Sequence, residues 1–278
     1  MFGYSQTPIT DANFQTAINN CLATNPVDGM CSDSEYGAMP DWDVSQVTDM
    51  SNAFRYNSNF NADISAWDVR NVTNMIGMFS FATAFNQDIG TWDVSSVTDM
   101  GGFINGMFYS ARSFNQDLSN WDVSSVRNMR YMFDNASSFN QDLSSWDVSN
   151  VTNMQRMFSE ASSFNQDLSS WEVSNVTNLS NFGDGTSISV ANYDALLTSW
   201  SSLTLQQGVT FSNSTLQYCT AGDARQSIID TYEWVIEDAG LAPGCNDSDE
   251  LTPITDANFQ SAINNCLATN PASSITHS

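Results

Sequence analysis

The chain has 278 residues and sets 7 Lys+Arg against 31 Asp+Glu, a formal charge of −24 with only 14% charged residues, and every cation is an arginine. Nucleic acid is excluded as a partner, because neutralising phosphates needs a basic stripe, and so is attraction to an anionic leaflet. No apolar run approaches the ~20 residues of a spanning helix, so no direct membrane insertion is expected.

In chain order, residues 1–40 read as a helical N-terminal cap, with Thr10 as N-cap and Phe14, Ala17, Ile18, Cys21 and Leu22 on one face before Pro26. The Met1-Phe2-Gly3 start lacks a charged segment followed by an apolar stretch, so any secretion signal is expected outside this chain. Residues 41–185 then repeat about six times around Trp42, Trp67, Trp92, Trp121, Trp146 and Trp171, at intervals of 25, 25, 29, 25 and 25. The long interval holds an insertion, because Gly101–Gly106 stands between Met100 and Met107 where the preceding repeat has only Ile76 and Gly77.

Apolar residues of one repeat, Val44, Val47, Met50, Phe54, Phe60 and Ile64, are spaced for neither a helix stripe nor a period-2 strand. They fit one coil of a solenoid whose side chains stack on the coils above and below, with paired strands expected between coils. Phe60, Phe85, Phe114, Phe139 and Phe164 form one such column, and the methionines of another are read as core filler.

Beyond Asn181 the pattern stops. Val190 to Trp200 reads as helix, Gly208 to Phe211 as strand, Asp223 to Tyr232 as helix and Glu233 to Ile236 as a closing strand. Residues 186–245 are therefore expected to be a small α+β cap, followed by a linker over 246–251. Residues 252–271 repeat 7–26 with one difference, Ser261 for Thr16, so 252–278 is read as the truncated start of a second tandem unit. Cys21 and Cys31 fall inside the first cap, and Cys219 and Cys245 inside the second, which predicts two local disulfides and an oxidising compartment, with Cys266 left over. Buried free thiols are the alternative.

The coil W-D-V-S-x-V-T-x-M-x-x-M-F-x-x-A-x-x-F-N-Q-D-L-S-x resembles those of the BspA-type leucine-rich repeat surface proteins. Ala191-Asn-Tyr-Asp-Ala-Leu-Leu with Cys219 to Trp234 resembles the segment that often closes such arrays. The resemblance spans most of the chain, from about residue 30 to 245. It implies a right-handed, leucine-rich-repeat-like β-solenoid, exported to the cell surface for adhesion or recognition, with no shared catalytic residues.

Two aspartate columns are the candidate ion ligands: Asp43, Asp68, Asp93, Asp122 and Asp147, and Asp63, Asp88, Asp117, Asp142 and Asp167. Carboxylates stacked at coil spacing repel by roughly 1 kcal/mol in water, so something offsets them. The favoured reading is an Asx-turn, in which each carboxylate accepts backbone amides. Ca²⁺ bridging the coils, with help from the Asn61, Asn86, Asn115, Asn140 and Asn165 column, is the alternative, and no other cofactor is called for. The single histidine, His277, lies in a polar tail and supports no Ser-His-Asp arrangement, so no enzyme activity is expected. Candidate partner-binding residues are those that depart from the repeat: Gly101, Gly102, Phe103 and Ile104 of the insertion, and Arg55, Arg112, Arg130 and Arg156. The expected partners are surface proteins or glycans, or neighbouring units of the same array stacked into a rod.

Overall fold

The computed structural model describes residues 7–245. The expected linker and second unit, with Cys266 and His277, lie outside the described residues. Helix α1 (Phe14–Thr24) is followed by a short 3₁₀ turn at Met39–Asp41, the repeats, and then α2 (Val190–Trp200), β1 (Thr210–Asn213), α3 (Gly222–Tyr232) and β2 (Val235–Asp238).

Helix α1 begins later than the sequence suggests. Thr10 is not its N-cap; the cap position is Asn13, whose Oδ1 instead accepts from the Thr10 amide at 2.8 Å, tightening the turn before the helix. The buried face is the expected one, Phe14, Ala17, Ile18, Cys21 and Leu22. Both disulfides are present, Cys21–Cys31 and Cys219–Cys245, with Cα atoms 5.3 and 5.2 Å apart.

Successive repeats stack with their aromatic rings in register. Phe54, Phe79, Phe108, Phe133 and Phe158 stand 5.4–5.6 Å apart between centroids, nearly parallel, and each pairs within its own repeat with the Phe60-type ring at 3.9–4.1 Å. From Trp92 onward each repeat tryptophan donates its indole N–H to a carbonyl near the end of the repeat two before its own: Trp92 to Ile64, Trp121 to Ile89, Trp146 to Leu118 and Trp171 to Leu143, at 2.9–3.2 Å. A buried indole needs an acceptor, and the fold supplies the same one each time.

The β-solenoid expected from the repeat is not formed. Among the described residues the only strands are β1 and β2, four residues each and paired parallel with Thr210 opposite Val235. The repeats meet in one isolated parallel bridge each, Asp49–Asn74, Asn74–Asp99, Asp99–Asn128, Asn128–Asn153 and Asn153–Asn178.

The reason is local. Counting each tryptophan as the first residue of its repeat, the eleventh and fifteenth residues turn left-handed: Asn52, Gly77, Tyr131, Arg156 and Asn181, and Tyr56, Phe81, Asn135 and Glu160, have φ between 56° and 66°. Extended backbone cannot run through them. Amides consequently alternate. Phe79 and Phe81 donate to Met107 and Tyr109 of the next repeat, whereas Met78, Ser80 and Ala82 donate three residues back within their own. A ladder that spends every second amide inside its own repeat is a stack of turns, not a sheet.

Beyond the repeats, α3 crosses between the parallel β1 and β2, as a parallel pair requires. This end is tied by buried acids. Asp194 of α2 accepts from the amides of Cys219, Thr220 and Ala221 at 2.8–3.2 Å, and Asp238 accepts from Arg225 and from the Tyr193 hydroxyl.

Candidate interaction face

The Gly101–Gly106 insertion is a closed loop, because the Met107 amide donates to the Met100 carbonyl across its base at 2.8 Å. Its seat is cut to backbone dimensions. A Cβ on Gly101 would lie 2.2 Å from the Arg130 nitrogen, and one on Gly106 would lie 2.1 Å from the Tyr131 carbonyl oxygen. From within the loop, Asn105 reaches over the second repeat and donates through Nδ2 to Asn52 Oδ1 of the first at 2.8 Å. That reach crosses Gly77, where a Cβ would stand 2.4 Å from the Asn105 amide nitrogen. Asn128 adds a bond from Nδ2 to the Gly101 carbonyl. The loop is thus anchored to three repeats, and its tip residues, Phe103 and Ile104, are 78% and 59% exposed.

Around that tip runs a belt of aromatic rings and guanidinium groups. Tyr56, Phe81, Tyr109 and Tyr131 follow one another at centroid distances of 5.0, 5.1 and 6.1 Å. The Arg130 guanidinium lies 4.9 Å from the Phe103 centroid and 5.0 Å from that of Tyr131, Arg156 lies 5.5 Å from Tyr131, and Arg55 lies 4.7 Å from Tyr56. Such stacking holds an arginine in place while leaving its donors free.

Of the eight candidate partner-binding residues, the structure brings Arg55, Gly101, Gly102, Phe103, Ile104, Arg130 and Arg156 to this face. Arg112 is exposed on another column, beyond Ala111. Sequence reasoning missed Tyr56, Phe81, Tyr109 and Tyr131. Their one signal is that aromatic residues stand where other repeats carry Ser, Asn, Gly or a charged residue. Ion pairs separate the arginines further: Arg156 is held by Asp134 at 2.6 Å, whereas the described residues place no carboxylate within 4 Å of Arg55 or Arg130. Burial pushes the Asp134 carboxyl above its ordinary value although Arg156 pulls the other way, and Tyr109 is raised chiefly by burial as well.

The aspartate columns lie elsewhere and are engaged locally. Oδ1 of Asp43, Asp63, Asp88, Asp93, Asp117, Asp122, Asp142, Asp147 and Asp167 accepts from the amide of the residue two on, at 2.8–3.2 Å, and Asp68 does so from Arg70 at 3.3 Å. The Ser45, Ser65, Ser95 and Ser149 hydroxyls hold Asp43, Asp63, Asp93 and Asp147 below the usual carboxylate range, and at Asp142 the Ser144 amide leads. The asparagine column is a ladder. Oδ1 of Asn61, Asn86, Asn115 and Asn140 each accepts the backbone amide of the asparagine in the following repeat at 2.8–2.9 Å, and Oδ1 of Asn165 accepts from Ser189. Among the described residues, no three His, Cys, Asp or Glu side chains gather in a group that could hold a metal ion.

No helix among the described residues is long and apolar enough to cross a membrane. No curated protein and no solved structure matches the chain. A family described as "Mycoplasma protein of unknown function, DUF285" matches it twice, over residues 27–106 and 103–196, the span that holds the repeats, the insertion and the whole arginine–aromatic belt. With more than half of its length matched, the chain belongs to that family.

Proposed function

We propose that the chain is an extracellular, non-enzymatic recognition module of a surface protein, one unit of a larger tandem array, and that it docks proteins or glycans through the belt around Phe103. One observation carries this reading. An apolar tip, Phe103 with Ile104, is held out on a rigidly seated loop beside Arg130, which lies between two rings with no carboxylate partner among the described residues. Exposed aromatic and arginine side chains on a firm scaffold are the residues that dominate binding energies at interfaces. The two disulfides support an oxidising compartment, and the resemblance of the repeat to BspA-type surface proteins supports display on a cell. An array of glycans and extracellular-matrix proteins, probed with and without Ca²⁺, tests it. Binding that Phe103→Ser and Arg130→Ala each weaken tenfold or more, with unchanged thermal midpoints, is the expected result. Binding indifferent to both substitutions would overturn the assignment of this face.

The duplication of 7–26 at 252–271 favours a second reading, a spacer whose units stack head to tail into a rod. A two-unit chain that is rigid by small-angle scattering and inert on the array would favour the spacer.

A further inference from the structure

Two arginines of the belt carry charge that nothing among the described residues compensates. Nε of Arg55 and Nε of Arg130 are shut off from solvent and have no acceptor there. Each guanidinium lies over aromatic carbon, Arg55 at 4.7 Å from the Tyr56 centroid and Arg130 at 4.9 and 5.0 Å from those of Phe103 and Tyr131. Arg55 commits one donor to the Tyr56 hydroxyl at 3.0 Å, and Arg156, the third arginine of the face, is already neutralised by Asp134. Arg112 and Arg127 also lack an ion pair among the described residues, but both are exposed and so stay hydrated. A cation partly stripped of water and left unpaired costs free energy, which a carboxylate on its remaining donors offsets. Stacking fixes the plane of the guanidinium, and a fixed plane favours a forked, two-bond contact with a carboxylate.

The two arginines stand at opposite ends of the belt. Arg55 belongs to the first repeat and Arg130 to the fourth, three steps along a stack whose rings advance 5.4–5.6 Å at each, so one carboxylate cannot reach both. A polypeptide in extended conformation covers that distance in about five steps of ~3.3 Å.

Between the arginines the surface is aromatic and, at Ile104, aliphatic. A pyranose binds such a surface by lying flat on a ring face, and here faces are occupied: Tyr56 carries Phe81 stacked at 21° and the Arg55 guanidinium, and Tyr131 carries those of Arg130 and Arg156. Ile104 offers sugar hydroxyls nothing, whereas the apolar side chains of a protein gain by covering it. Resting on the reading of this face as a docking surface, we infer that its occupant is an extended acidic segment of a protein, with one carboxylate on Arg55, a second on Arg130 and apolar side chains between them over Phe81, Tyr109 and the Phe103 tip. The net charge of −24 repels such a segment at long range, so the attraction is confined to the belt; at physiological salt a Debye length of ~8 Å screens most of the repulsion.

Fluorescence anisotropy of labelled peptides, blocked at both ends, against the full chain in about 0.15 M NaCl tests this. Each peptide holds two glutamates separated by about one, four or eight leucine and serine residues. Tightest binding is expected at the middle spacing. Arg55→Ala and Arg130→Ala should each weaken it about tenfold with unchanged thermal midpoints, while Arg127→Ala, which removes the same charge elsewhere, leaves it as it was. A peptide with one glutamate replaced by glutamine should become indifferent to one of the two substitutions and stay sensitive to the other. Affinity independent of spacing, an equal loss with Arg127→Ala, or no binding of any peptide at about 1 mM would overturn the inference. So would an oligosaccharide of uronic acids bound more tightly than every peptide and released by the same two substitutions. In each of these cases, array binding that still falls with Phe103→Ser leaves the face in place and only its occupant wrong; array binding indifferent to both Phe103→Ser and Arg130→Ala is the separate failure of the face itself.

Discussion

Trp121 shows why one residue type recurs at the same place in six repeats. Its indole is buried, filling the space beside Phe108 at 6.3 Å and donating to the Ile89 carbonyl at 3.0 Å. Phenylalanine would keep part of the packing and lose the indole bond, leaving the Trp92 amide as that carbonyl's remaining donor. Trp121→Phe should therefore lower unfolding stability by about 1–3 kcal/mol, read by urea denaturation with the slope unchanged. The aspartates act at the same scale through pH. Asp43, Asp63, Asp93, Asp142 and Asp147 are held below the usual carboxylate range because serine hydroxyls and amides favour the charged form. A carboxyl depressed in the folded state stabilises fully above its unfolded value, near 3.9, and loses that contribution as pH falls through the folded value. Asp134 runs the other way: its raised value favours the folded state below about pH 4 and loses that contribution as pH climbs through it. Asp11, bonded to the Thr48 hydroxyl and amide, is depressed too, and with six depressed carboxyls against one raised the thermal midpoint should drop steeply below pH 4, and Asp93→Asn should flatten the drop.

At the scale of elements, legibility followed period. Helices α2 and α3 coincide closely with the stretches read as helical, because an amphipathic face such as Tyr193, Leu196, Leu197 and Trp200 repeats every three to four residues. The turns of the repeat left no comparable trace. Asn, Tyr, Phe and Arg all occupy its left-handed positions, and only at Gly77 and Gly185 does a glycine announce one. The expected strands failed for that reason. The insertion was visible as extra length, but its anchoring was not: nothing in Asn105 signals a bond to Asn52, 53 residues away. Its glycines are the most vulnerable points, since a methyl group on Gly106 would meet main chain rather than a flexible side chain. Gly106→Ala should cost about 1–3 kcal/mol by strain and shift Phe103, seen as a lower thermal midpoint together with weakened binding on the same array.

For the whole molecule, charge works against cohesion. A net −24 on 278 residues repels itself, and the described residues hold only three ion pairs, at Arg70, Arg156 and Arg225. Raising NaCl from about 10 to about 300 mM shortens the Debye length from roughly 30 Å to well under 10 Å and should raise the thermal midpoint. Ca²⁺ at matched ionic strength should add nothing further, because the carboxylate and asparagine oxygens of the columns already accept amides. A midpoint that rises with Ca²⁺ alone would reveal a structural ion.

That the chain repeats, where the repeats begin and end, which side chains form the core columns and how Cys21, Cys31, Cys219 and Cys245 pair could all be read from the residues alone. These follow from side-chain type and spacing, which copying along a chain preserves. Tertiary structure alone decided how the backbone runs between columns and where the departures from the repeat meet. A hydrogen-bond ladder is a choice among equivalent amides and carbonyls that carry no residue label, and left-handed turns at Tyr131 and Arg156 took the amides a sheet would have used. Tyr56, Phe81, Phe103, Tyr109 and Arg130, spread over four repeats, become one surface only because stacking sets their repeats side by side.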